Sequence, residues 1–115
     1  MKDRLFLLSP GFMDGDTGPW FCPETALVEG MLAFYPRLRV QIDVKYVEFP
    51  KPRAPIVELL GEAVQGCPML VLGDEARAIP EGIAVGEANG RRYVAKDLDI
   101  CRYLAAAYEV GGPHR

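Results

Sequence analysis

Long apolar runs are missing from this chain. The run near the N-terminus, Leu5-Phe6-Leu7-Leu8, stops at Ser9-Pro10-Gly11. That is too short for a signal-peptide core or a membrane span, so a cytoplasmic location without a membrane partner is expected. An excess of basic charge is also missing. Lys and Arg number 13 against 16 Asp and Glu, for a net charge of −3. That sign offers no counterion-release drive toward nucleic acid, and no basic block addresses an anionic membrane surface. Histidine occurs once, as His114, with no partner at ligand spacing. Asp14-Gly15-Asp16 lacks the longer run of oxygen ligands and closing glutamate of a calcium loop. It does not directly follow a strand, as a phosphatase aspartate would, and no metal is expected. Cysteine is scarce and odd in number, at three. An odd count in a chain able to bury its own core argues for free thiols over a secreted disulfide framework.

What remains is ordinary globular material. A chain of 115 residues, half of them hydrophobic and a quarter charged, suits one domain spanning 1–115. Such a chain buries roughly two-thirds of its unfolded surface. No internal repeat or low-complexity segment breaks it.

Residues 4–8 form an apolar run that reads as a buried strand. Residues 9–21 are rich in Gly, Pro and Asp and read as a long loop, a plausible carrier of function. Pro23 opens a helical pattern, because proline suits a first turn whose N–H lacks a partner in any case. Leu27, Met31 and Phe34 follow at helical spacing, flanked by Val28, Leu32 and Tyr35. Pro36 stops the helix at Tyr35. Residues 42–49 alternate as a strand does, with Val47 out of pattern. Pro50-Lys51-Pro52-Arg53 is a stiff basic loop. Pro55 starts a second helix with Ile56, Leu59, Leu60 and Val64. Residues 69–72 are a clear buried strand. Residues 75–90 carry little pattern. Asn89-Gly90 is a two-residue hairpin turn between 83–88 and 91–94. Asp97 is expected to cap a last helix with an Ile100, Tyr103, Leu104 and Ala107 stripe. The order is strand, helix, strand, helix, strand, strand, helix. Its first half is a βαβ unit, which implies parallel pairing.

The candidate site centres on Cys22. A thiol at a helix start faces unpaired N–H groups and the positive dipole end, which lower a cysteine pKa and favour the nucleophilic thiolate. Trp20 and Phe21 are positioned to wall the sulfur. Thr25 lies one turn below, where its hydroxyl can donate to the thiolate. A half-buried structural cysteine and an ordinary first-turn threonine are the competing readings. Cys101, between Leu98 and Leu104, reads as structural. Lys51 and Arg53 can meet a carboxylate, or can simply be solvated.

Three segments carry a family likeness. Phe21-Cys22-Pro23-Glu24-Thr25 resembles the Cys-Pro-x-Cys or Cys-Pro-x-Ser redox motif. Gly66-Cys67-Pro68-Met69-Leu70-Val71-Leu72 is similar to the Val-Pro-x-Leu segment that carries a cis-proline. Lys96-Asp97-Leu98-Asp99-Ile100-Cys101-Arg102-Tyr103-Leu104 resembles the Glu-Ser-x-Ala-Ile-x-x-Tyr-Leu helix of glutathione transferases. Together they resemble the thioredoxin-like superfamily, of the glutaredoxin and transferase N-terminal-domain type. More narrowly, the chain resembles a small bacterial family catalogued as a domain of unknown function. Thr25 stands where a dithiol enzyme has its second cysteine. Lys96 and Asp97 stand where transferases place Glu and Ser.

The resemblance implies an α/β, thioredoxin-like fold with about four strands in a mixed sheet flanked by three helices. It places Cys67, ahead of a cis Pro68, beside Cys22 as a second catalytic candidate. It implies a binding surface of Trp20, Phe21, Pro23, Lys51, Arg53, Pro68, Lys96 and Asp97 for a thiol or disulfide peptide or small ligand. Two functions follow. One is a thiol–disulfide or glutathione-linked oxidoreductase with Cys22 as nucleophile, no required cofactor, and glutathione as candidate co-substrate. The other is a non-catalytic binding module. A homodimer is compatible with both.

Overall fold

Residues 4–8 alternate between two apolar environments, and the fold is built around that alternation. The computed structural model describes residues 1–75 and 77–114. Its elements are β1 (Arg4–Leu8), β2 (Phe12–Asp14), β3 (Thr17–Trp20), α1 (Pro23–Phe34), α2 (Leu38–Gln41) and β4 (Asp43–Val47). Then come α3 (Ala54–Leu60), β5 (Met69–Val71), β6 (Gly86–Ala88), β7 (Arg91–Val94) and α4 (Asp97–Tyr108). On β1, Leu5 and Leu7 join a cluster with Val28, Leu32, Ile100 and Leu104. Phe6 and Leu8 join another with Ile56, Leu60, Met69 and Val71. A strand buried on both faces reads as a continuous apolar run, which is why 4–8 does not alternate in sequence. Thus α1 and α4 cover one face of the sheet and α3 the other.

The sheet is mixed and five-stranded, ordered β4-β1-β5-β7-β6. β4 runs parallel to β1, while β5, β7 and β6 follow antiparallel. The expectation of about four strands and three helices is corrected: β6 adds an edge strand and α2 a short fourth helix. The stretch 9–21, read as loop, holds the separate β2–β3 hairpin. The turn at Asn89-Gly90 is present, both residues having positive φ (51° and 72°), but its first strand is shorter than 83–88. The helix α1 buries Val28, Met31 and Leu32, leaving Leu27 and Phe34 on the surface at 41% and 80% exposure. Val47, out of pattern in sequence, is buried against the α3 cluster. The patternless stretch contributes Ile79 and Ile83 to the α1–α4 side of the core.

One buried polar cluster ties the start of β1 to α4. Asp3 is buried and accepts from Gly73 N at 2.6 Å, Tyr108 OH at 2.7 Å and Tyr103 OH at 3.2 Å. Burial, reinforced by the adjacent Asp3, pushes the Tyr103 hydroxyl up from 10 to about 12, and Tyr108 upward as well. A group that holds its proton more tightly when folded contributes stability that is full below its unfolded pKa and lost as pH rises through the folded one. The Cys67 and Cys101 thiols, also raised by burial, act in the same direction from a lower starting value, so denaturant midpoints should stay level until about pH 9 and fall toward pH 12. Tyr103→Phe should flatten part of that decline, and a level profile in the parent protein would contradict the linkage.

Candidate functional site

The first turn of α1 presents N–H groups without intrahelical partners. Cys22 is its N-cap, with extended backbone (φ −80°, ψ 118°), and Pro23 takes the first helical position. The Cys22 sulfur accepts from Thr25 N at 3.4 Å, doing with sulfur what a serine cap does with oxygen. The thiol in turn donates to Glu24 Oε2 at 3.3 Å. Glu24 is held below the usual carboxylate range, first by its own backbone N–H and then by this thiol.

Cys67 precedes β5, and its peptide bond to Pro68 is cis, as the resemblance implies. Its thiol donates to Phe6 O at 3.3 Å. Burial pushes that thiol up to about 12, the Arg53 charge pulls down, the Cys22 charge pushes up, and Thr25 pulls down. Cys22, Thr25 and Arg53 thus all bear on the Cys67 thiol. Cys22 and Cys67 also pack against the same apolar cluster, with Phe12 and Phe49. Those two rings stack at 4.5 Å with an interplanar angle of 5°, joining the hairpin to the loop ahead of α3. No cysteine is in a disulfide.

A model for the family described as "Protein of unknown function (DUF3088)" matches residues 2–112. The chain belongs to this family. No curated protein and no solved structure matches it. The match spans every residue of the DUF3088 chain named as a site candidate.

Not all of those candidates converge. Trp20 and Phe21 are 51% and 64% exposed, so they do not enclose the sulfur. The Trp20 indole donates within the hairpin, to Thr17 Oγ1. Thr25 meets Cys22 through its backbone N–H, while its hydroxyl oxygen accepts from Leu8 N at 3.2 Å. The expected hydroxyl-to-Cys22 bond is replaced by a tie between α1 and β1. Arg53 spends its guanidinium on its surroundings, donating to Phe49 O from Nε and Nη2 and to Gln65 O from Nη1. Lys51 and Lys96 are exposed. Asp97 is the first residue of α4 and not its cap; Lys96 holds the cap position, and Asp97 Oδ1 accepts from Leu98 N. Asp97 acts instead on Cys101, which is buried and whose thiol is raised to about 11, chiefly by desolvation.

Sequence reasoning missed Glu24, Phe12 and Phe49. An acid in a first helical turn is ordinary dipole complementation, so Glu24 carried no distinguishing signal. A cavity of about 360 Å³ lies elsewhere, between α1 and the C-terminal segment, lined by Leu27, Phe34, Tyr35, Cys101 and Pro113 among others. Among the described residues no three His, Cys, Asp or Glu converge to hold a metal ion, and no helix is long and apolar enough to cross a membrane.

Proposed function

We propose that the chain is a thioredoxin-like thiol protein in which Cys22 performs thiol–disulfide exchange. The parallel β1–α1–β4 unit, then α3, the antiparallel β5 and β7, and the closing α4, supports the fold reading. The observation that carries the function is the Cys22 sulfur, half-buried at the N-cap of α1 and receiving the Thr25 N–H, with Cys67 packed against the same apolar cluster. A donor already aimed at sulfur is prepared for the negative charge that appears when the thiol ionises.

In the proposed step Cys22 loses its proton to water and its thiolate attacks one sulfur of a disulfide. That S–S bond breaks, the departing sulfur leaves as a thiolate, and Cys22 is held in a mixed disulfide. A second thiolate then attacks that mixed disulfide at the substrate sulfur and releases Cys22. The second thiol and the substrate thiol leave as a new disulfide. An external thiol fits this role better than Cys67, because burial keeps the Cys67 proton in place up to about pH 12.

A non-catalytic binding module is the second reading, favoured by the Cys22 thiol being tied as a donor to Glu24. One experiment separates the two. The reduced protein is mixed with one equivalent of a small neutral disulfide and the adduct is located by peptide mass. Exchange chemistry places it on Cys22 alone, and Cys67→Ala keeps turnover with an external thiol. An absence of adduct favours the module.

A further inference from the structure

Among the charges around the proposed nucleophile, one touches it. Glu24 Oε2 lies 3.3 Å from the Cys22 sulfur, and the carboxylate is held below the usual range, so it is ionised at neutral pH. The Arg53 charge reaches the Cys67 thiol. Its guanidinium is turned into its own loop, donating to Phe49 O at 2.8 and 3.1 Å and to Gln65 O at 2.9 Å. Lys51 is exposed.

Resting on the reading of Cys22 as nucleophile, we infer that Glu24 is a specificity-determining residue that sets the charge of the partner. Neutral or cationic thiols and disulfides are favoured, and anionic ones, glutathione among them, are disfavoured. The physical ground is simple. A partner sulfur must approach within bonding distance of Cys22, which brings any carboxylate near that sulfur within a few ångströms of Glu24. A carboxylate pair at that range in an exposed setting is repelled, and the repulsion is weakened by salt. The Thr25 N–H remains available to the sulfur in either case.

The test compares alkylation of Cys22 by iodoacetamide, which is neutral, with alkylation by iodoacetate, which is anionic. Taking the ratio of the two rates cancels the thiolate fraction, so a change in Cys22 ionisation alone does not move it. In the parent protein at low salt, iodoacetate should be slower than iodoacetamide by about fivefold beyond the ratio shown by free cysteine, the scale of an exposed charge pair. Glu24→Gln should return the ratio to that of free cysteine, and so should high salt. Cystamine should likewise outpace oxidised glutathione in forming the Cys22 adduct, with the preference reduced in Glu24→Gln. A ratio unchanged by both Glu24→Gln and salt would overturn the charge filter while leaving Cys22 as nucleophile. Failure of both reagents to label Cys22 would overturn the nucleophile reading and the filter with it.

Discussion

Cys22→Ser is expected to abolish disulfide exchange and to cut alkylation at neutral pH at least a hundredfold. The thiols that remain cannot substitute. Burial holds Cys67 at about 12 and Cys101 at about 11. At pH 7 they are ionised to only ~10⁻⁵ and ~10⁻⁴, and the thiolate is the species that reacts. Serine keeps the capping role, since its hydroxyl oxygen can accept the Thr25 N–H that Cys22 accepts. Thermal unfolding of the variant should therefore match the parent within a few degrees, which separates lost chemistry from lost fold. Substantial residual exchange in Cys22→Ser would move the reactive thiol elsewhere.

Asp3→Ala is expected to be the most damaging single change to the polar core. It removes the acceptor shared by Gly73 N–H and the Tyr103 and Tyr108 hydroxyls. Each buried donor left without a partner costs about 1–3 kcal/mol, so the variant should lose about 3 kcal/mol or more. For a domain of this size that is a fall in Tm of roughly 10 °C or more. Asp3→Asn keeps one oxygen acceptor and should fall between Ala and the parent. Both are read by thermal and denaturant unfolding. A loss below about 1 kcal/mol in Asp3→Ala would mean that water replaces the carboxylate. Gly73 adds to the tightness here: a side chain there would meet the backbone of residues 1–3.

How much of this was legible in the sequence depends on whether the deciding contact is local. Proline after Cys22 and the helical spacing that follows are local, and α1 begins at Pro23, where that signal puts it. The strand after Pro68 and the Asn89-Gly90 turn are local too. Strands β2 and β3 have only three and four residues, and β3 carries Gly18 and Pro19, which hides their pairing. The four-residue helix α2 is a single turn, too short to show a period. On α1, two overlapping apolar stripes compete. Packing against β1 and α4 chose the one with Val28 and Leu32, leaving Leu27 and Phe34 outside. Asp3 reads as a solvated terminal acid until the fold brings Tyr103 and Tyr108 to it from 100 and 105 residues away. In the candidate site, the thiol positions were readable, but their partners were not. Whether Thr25 meets Cys22 by hydroxyl or by backbone, and whether Arg53 faces a ligand or its own loop, is decided by side-chain placement after folding.

The central claim is that Cys22 is the reactive thiol of this protein. Residue-resolved alkylation with iodoacetamide, followed by peptide mass from neutral to strongly alkaline pH, addresses it most directly. Cys22 should be modified at neutral pH in the folded protein, with Cys101 and Cys67 joining only as pH nears about 11 and about 12 or as the fold opens. Equal and slow modification of all three cysteines at neutral pH would contradict it.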